Sequence, residues 1–103
     1  MSTSDPKYDL DRIKKLLCDT SSYYVTTEAQ RGAVEMGYMD VESILDVVEN
    51  IQQDDFYKSM PSEKVKGLWQ DVYRVADGNN RLYIKLQLSM DGKKAVIIQF
   101  KKK

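Results

Sequence analysis

Two short segments, DFYKSM (residues 55–60) and WQDVY (residues 69–73), place polar side chains between aromatic ones. Lys58 lies between Tyr57 and Ser59, and Gln70 follows Trp69, the only tryptophan of the chain. Lysine and tyrosine can transfer protons or stabilise phosphate charge, and aromatic rings stack on unpaired bases. These residue types suit phosphodiester chemistry on RNA, whose own 2′-hydroxyl supplies the nucleophile. The alternative is purely structural: solvent-facing lysines on strands, and tyrosines packed at a sheet edge.

The composition excludes several other kinds of site. The chain has no histidine and one cysteine, which excludes a Cys/His zinc site and a Ser–His or Cys–His nucleophile. Its five glycines do not form a glycine-rich phosphate loop. The acidic residues in QDD and DVE lack the spacing of a calcium-binding loop. We therefore expect no metal site and no cofactor.

The formal net charge is zero, but the charges are unevenly distributed. Residues 1–57 carry 12 acidic and 5 basic side chains, whereas residues 81–103 carry 7 basic and 1 acidic. This separation predicts one surface that attracts an anion and another that suits a basic partner. The alternative is that both are ordinary solvated surfaces.

Length and hydropathy indicate a single domain, residues 1–103, without repeats or linkers. The N-terminal residues MSTSDPKYD lack the apolar stretch of a secretory signal, and AVII is the longest aliphatic run. Together with the lone cysteine, these features predict a cytoplasmic protein with no membrane contact.

The N-terminal half shows helical patterning. A first helix is predicted to start at Ser4 or Asp5, before Pro6, and SYYV (residues 22–25) is predicted to be a short strand. Thr27 and Gln30 fit a capping box for a second helix that ends at Gly37. Asp40 is predicted to cap a third helix. The predicted buried positions of the first and third helices are Leu10, Ile13, Leu16, Leu17, Val41, Ile44, Leu45, Val48 and Ile51.

The C-terminal half alternates with a period of two, which is typical of strands with one buried face. Leucine and isoleucine at 82, 84, 86 and 88 alternate with Arg81, Tyr83, Lys85 and Gln87. MDGK, residues 90–93, predicts a tight hairpin before the last strand. DFYKSM, GLWQDVYRV and the loop ADGNNR complete a predicted meander. In the last strand we expect Val96, Ile98 and Phe100 to be buried, so that Lys101 shares a face with Tyr83 and Lys85. The predicted fold is α+β, with N-terminal helices on one face of an antiparallel sheet.

The segments DDFYKSM, WQDVYRV, LYIKLQL and VIIQFKKK, together with SYYVTTEAQ, resemble the MqsR family of motility quorum-sensing regulator toxins from bacterial type II toxin–antitoxin systems. The resemblance covers most of the chain. It implies a RelE-like toxin fold and a ribosome-independent mRNA interferase. Such an enzyme is a metal-independent endoribonuclease that cuts at GCU-like sequences and inhibits translation and growth.

The resemblance also implies the positions of the active-site residues. The lysine of FYKSM is Lys58, the glutamine of WQDVY is Gln70, the tyrosine of LYIK is Tyr83, and the lysine after the phenylalanine of the last strand is Lys101. The candidate substrate-binding residues are Tyr57, Met60, Arg74 and Lys85.

The implied partners are single-stranded mRNA and a cognate MqsA-like antitoxin with a zinc-binding domain and a helix-turn-helix domain. Contact with DNA would then be indirect, through the antitoxin. Two alternatives remain open: a non-catalytic, toxin-like protein that only binds a regulator, and a module that binds RNA without cutting it.

Overall fold

The computed structural model describes residues 3–103, which form three α-helices and a five-stranded sheet. None of the helices in this part of the chain has the length and apolar character needed to span a bilayer. The elements in chain order are α1 (Leu10–Leu16), β1 (Tyr23–Val25), α2 (Thr27–Glu35), α3 (Val41–Glu49), a 3₁₀ turn (Gln53–Asp55), β2 (Phe56–Pro61), β3 (Trp69–Asp77), β4 (Asn80–Leu88) and β5 (Ala95–Lys102).

The strands are arranged in the order β1-β5-β4-β3-β2. Strands β2 to β5 pair antiparallel, as their short connections require, whereas β1 pairs parallel to β5. The α+β class is confirmed, but the prediction of a wholly antiparallel sheet is corrected to a mixed one. Strand β1 is free to run parallel because two helices and three strands separate it from β5 along the chain.

The helix boundaries follow from their caps. Asp40 caps α3 as predicted, by accepting a hydrogen bond from the Ser43 backbone N–H. The predicted start of α1 is wrong, because Asp9 is its N-cap. The cap of α2 is Thr26 and not Thr27, and its hydroxyl accepts from the Ala29 N–H.

The helices pack on one face of the sheet. The buried residues of this core include Leu10, Ile13, Leu17, Ala29, Ala33, Ile44, Val48, Ile51, Tyr73, Val75, Leu82, Ile84, Leu86, Ala95, Ile97 and Phe100. Helix α2 approaches β5 so closely that a Cβ at Gly32 would overlap the Phe100 carbonyl oxygen. This contact fixes the backbone of β5 next to Lys101.

A bulge changes the faces predicted for the last strand. Lys85 pairs with Gln99 but Leu86 pairs with Ile97, so Ile98 is an extra residue in β5. Ile97 is therefore fully buried, whereas Val96 and Ile98, which were predicted to be in the core, are only half-buried. The alternation beyond the bulge is as predicted.

Candidate active site

The site is formed on the face of the sheet opposite the helices, which we call the open face. It carries all eight residues proposed from the sequence: Tyr57, Lys58, Met60, Gln70, Arg74, Tyr83, Lys85 and Lys101. Strand register brings them together, because Met60 pairs with Gln70, Arg74 with Tyr83, and Tyr83 with Lys101. Directly opposed side chains have Cβ atoms about 5 Å apart, so these pairs are in mutual reach.

Strand β2 contributes two neighbouring residues to this face through an irregularity. The β2–β3 register shifts between Phe56 and Lys58. Phe56 packs edge-to-face on the core residue Tyr73, with ring centroids 5.6 Å apart. Tyr57, in contrast, lies under the Arg74 guanidinium, whose Cζ is 3.4 Å from its ring centroid. The bulge therefore places Tyr57 on the open face beside Lys58, where strict alternation would separate them.

The cationic groups lie close to the tyrosine rings. Lys58 Nζ is 5.3 Å from the centroid of the Tyr57 ring. Lys101 Nζ and Lys85 Nζ are 5.2 and 5.8 Å from the centroid of the Tyr83 ring. Such an array of positive groups around aromatic rings can bind a phosphate together with unstacked bases.

The pKa values of two residues are shifted by this environment. Burial raises the pKa of Tyr83 above the ordinary tyrosine value, and the neighbouring Tyr57 raises it further. Tyr83 therefore keeps its proton at neutral pH, so its hydroxyl can donate a hydrogen bond. Burial lowers the pKa of Lys85, and the positive charge of Lys101 lowers it further. Lys85 consequently loses its proton more readily than an ordinary lysine.

The open face has an apolar floor. Val72 pairs with Lys58 on one side and Lys85 on the other, and it is fully buried although it lies outside the main core. The aliphatic stems of the two lysines flank it, as is common for long charged side chains.

Asp71 within WQDVY has a structural role that the sequence pattern does not predict. Asp71 points to the helix side, is fully buried and accepts hydrogen bonds of 2.9–3.0 Å from the backbone N–H groups of Lys7 and Tyr8. The Tyr8 hydroxyl also donates to the Trp69 carbonyl at 2.9 Å. The motif thus anchors the N-terminal segment behind β3 while presenting Gln70 on the open face. Only the register of the folded sheet reveals this second role.

A groove of about 590 Å³ adjoins the cluster, and Met60, Gln70 and Lys85 line it. Its other polar residues include Gln87 and Gln99, which sequence analysis did not propose as site residues. The period-two pattern placed Gln87 on the polar face of its strand, and this was the only feature of the sequence that indicated a position near the site. Among residues 3–103, no three His, Cys, Asp or Glu side chains are grouped so that they could hold a metal ion.

Comparison with known proteins agrees with the resemblance. Residues 5–102 match the family described as motility quorum-sensing regulator, toxin of MqsA. The chain is also 31% identical to the mRNA interferase toxin MqsR of Escherichia coli (strain K12) over 103 residues, which is the full length of both proteins. The family resemblance is thereby confirmed, and this chain belongs to the MqsR family of toxins.

Proposed function

We propose that this protein is the toxin of a toxin–antitoxin system and acts as an endoribonuclease that cleaves single-stranded mRNA. The observation that carries the proposal is the convergence of Lys58, Gln70, Tyr83 and Lys101 on the open face of a chain that belongs to a toxin family. The name of the Escherichia coli relative, an mRNA interferase toxin, agrees with it.

In the proposed reaction, the 2′-oxygen attacks the adjacent phosphorus, a new P–O2′ bond forms, and the P–O5′ bond breaks. Lys58 in its neutral form accepts the 2′-hydroxyl proton. Tyr83 is a poor candidate for this base because its raised pKa keeps it protonated. The 5′-oxygen takes up a proton from water as it leaves, and the products are a 2′,3′-cyclic phosphate and a 5′-hydroxyl.

The remaining residues stabilise and orient the phosphate. Lys101 balances the additional negative charge that develops on the phosphate oxygens in the transition state. The Tyr83 hydroxyl donates a hydrogen bond to the same phosphate, and Gln70 orients the neighbouring nucleotide. Arg74 and Tyr57 form a stacked pair that suits an unpaired base, and Met60 offers an apolar contact.

We extend the proposal to the finer properties that the family resemblance implies. These are cleavage without the ribosome, a preference for GCU-like sequences, independence of metal ions and a cytoplasmic location.

The experiment is digestion of a mixed-sequence transcript by the purified protein in EDTA, followed by mapping and chemical analysis of the new ends. Ends with 5′-hydroxyls support the proposal. Fragments with 5′-phosphates, or cutting that requires magnesium, contradict the mechanism, and the absence of cutting favours a non-catalytic binding protein.

The proposed partner is an MqsA-like antitoxin with a zinc-binding domain and a helix-turn-helix domain, which would mediate any contact with DNA. This chain has no histidine and one cysteine, so zinc in the complex should belong to the antitoxin. Copurification from the native operon, with metal analysis of each separated chain, tests this. Stoichiometric zinc in the toxin alone would contradict it.

A further inference from the structure

The groove beside the catalytic cluster has features of a built binding site. It is bounded by the start of α2, by the β2–β3 connection and by the bulged part of β5. Its lining residues are Thr26, Thr27, Glu28, Met60, Ser62, Glu63, Lys64, Val65, Gln70, Lys85, Gln87, Ile98 and Gln99. Its volume of about 590 Å³ leaves room for a nucleobase and its sugar.

Gln87 is the residue that distinguishes this groove from an ordinary surface depression. It is only 7% exposed, lies on β4 opposite Val96 and faces the groove. Its amide forms no hydrogen bond with any other residue in the part of the chain that the structure describes. Among the described residues, the Tyr73 hydroxyl is the only fully buried side-chain polar atom without a partner, so the Gln87 amide keeps contact with solvent in the groove. Its donor and its acceptor are therefore available to a ligand with complementary polar atoms.

Two further polar side chains line the same groove. Gln99 Nε2 donates to Glu28 Oε1 in a long hydrogen bond of 3.4 Å, so the two side chains lie side by side. Thr26 offers no free donor, because its hydroxyl already donates to the Ile98 carbonyl at 2.7 Å. These groups supply defined donors and acceptors for the edge of a base.

The walls of the groove are apolar where a base would need flat contact. Met60, Val65 and Ile98 line it from three different segments of the chain. Ile98 is there because it is the extra residue of the β5 bulge. Bulges often redirect a side chain next to an active site.

The groove is continuous with the proposed catalytic cluster. Met60, Gln70 and Lys85 belong to both, and Lys85 Nζ lies 5.8 Å from the Tyr83 ring. Gln87 is four residues beyond Tyr83 on the same strand, a distance of about 13 Å along the sheet. A strand of RNA held at Tyr83 can therefore place a neighbouring base in the groove.

We infer that this groove receives one unstacked base of the RNA next to the cleaved phosphate, and that Gln87 is its main specificity-determining residue, assisted by Gln99 and Glu28. The inference rests on the proposed function, since it assigns the sequence preference of the same site. It assigns to Gln87 a contact with substrate and no part in the proton transfers.

The test uses Gln87→Leu, which removes the polar atoms at similar size, and Gln87→Glu, which replaces the amide nitrogen with an acceptor oxygen. Gln53→Leu is the matched control, because Gln53 is exposed and lies outside the groove. Each protein digests an RNA pool of random sequence, and cut sites are mapped. A second pool with 2′-O-methyl sugars, which cannot be cleaved, is used for selection by binding.

We expect Gln87→Leu to relax the base preference at one position of the cut site by about 5- to 150-fold, with preferences elsewhere unchanged. Gln87→Glu should change the preferred base at that same position, and Gln53→Leu should match the wild type.

If the wild type cuts selectively and both Gln87 variants keep its full preference, the inference is wrong and the proposed function stands. If the wild type does not cut the cleavable pool, the proposed function fails, and the bound 2′-O-methyl sequences decide. A base bias that the variants lose supports the groove, whereas identical base frequencies for all proteins overturn it.

Discussion

Tyr83 on β4 and Lys101 on β5 lie directly opposite each other, with Lys101 Nζ 5.2 Å from the centroid of the Tyr83 ring. The pair is supported from behind by the close contact of Gly32 with the carbonyl group of Phe100. One phosphate group can therefore contact the Tyr83 hydroxyl and the Lys101 ammonium at the same time.

The first prediction is that these two residues are energetically coupled in catalysis. If both contact one phosphate, Tyr83→Phe and Lys101→Met should each slow single-turnover cleavage, and the double variant should lose much less than the product of the two effects. The matched control pairs Tyr83→Phe with Lys102→Met, which removes an exposed charge from the same strand. The effects of that pair should multiply, and independent effects in the first pair would argue against a shared phosphate.

The second prediction separates the base from the charge-stabilising lysine. Arginine keeps a positive charge but does not lose its proton in proteins, so it cannot accept one. Lys58→Arg should therefore slow cleavage by about 10²- to 10⁴-fold, as expected for loss of a proton-transfer group. Lys85→Arg should stay within about tenfold, because a phosphate contact is retained.

Lys85 is the alternative candidate for the general base, because its pKa is lowered. If Lys85 is the base, Lys85→Arg will be the inactive variant and Lys58→Arg the active one. Single-turnover rates at saturating protein, with the salt concentration held constant, distinguish the two assignments.

The third prediction concerns pH. Burial raises the pKa of Tyr83 above 10.0, so its neutral hydroxyl persists to a higher pH than that of an ordinary tyrosine. Ionisation of Tyr83 should therefore cause no loss of cleavage at neutral or mildly alkaline pH. The measurement is the rate against pH for wild type and Tyr83→Phe. A decline near neutral pH that disappears in Tyr83→Phe would show that the tyrosine ionises much earlier than the structure implies.

The fourth prediction concerns the buried carboxylate of Asp71. Asp71→Ala leaves the Lys7 and Tyr8 backbone N–H groups without their acceptor, at a cost of about 2–4 kcal/mol in the free energy of unfolding. Asp71→Asn keeps one acceptor oxygen and should cost less. Denaturant unfolding measures both, with Asp46→Ala as the exposed control expected within about 0.5 kcal/mol. A cost for Asp71→Ala as small as that of the control would show that the anchor is unimportant.

Local patterning was sufficient to predict much of the candidate site. The alternation of β4 placed Tyr83 and Lys85 on one face, and the residue order after Phe100 placed Lys101 with them. The roles of these residues came from the family resemblance and stay predictions. The loop ADGNNR also forms the predicted hairpin between β3 and β4, with Gly78 at a φ of 60°.

The errors arise where distant segments determine the conformation. Helix α1 starts later than predicted because the backbone N–H groups of Lys7 and Tyr8 bond to Asp71, more than 60 residues away. The core faces of Val96 and Ile98 were wrong because the β5 bulge follows from pairing with β4. The turn around MDGK is longer than the predicted tight hairpin, since the six residues 89–94 connect the strands and Ser89 N–H bonds to the Lys94 carbonyl. The parallel pairing of β1 also has no local signal.

The central claim is that the open face cleaves RNA, and single-turnover cleavage by Lys58→Ala and Lys101→Ala tests it most directly. Lys58 is half-buried and Lys101 is exposed, so the free energies of unfolding of both variants, from thermal melts, should lie within about 1 kcal/mol of the wild type. The account predicts cleavage slowed by about 10²-fold or more in each folded variant. Wild-type rates in both variants, or activity lost only because they unfold, would contradict it.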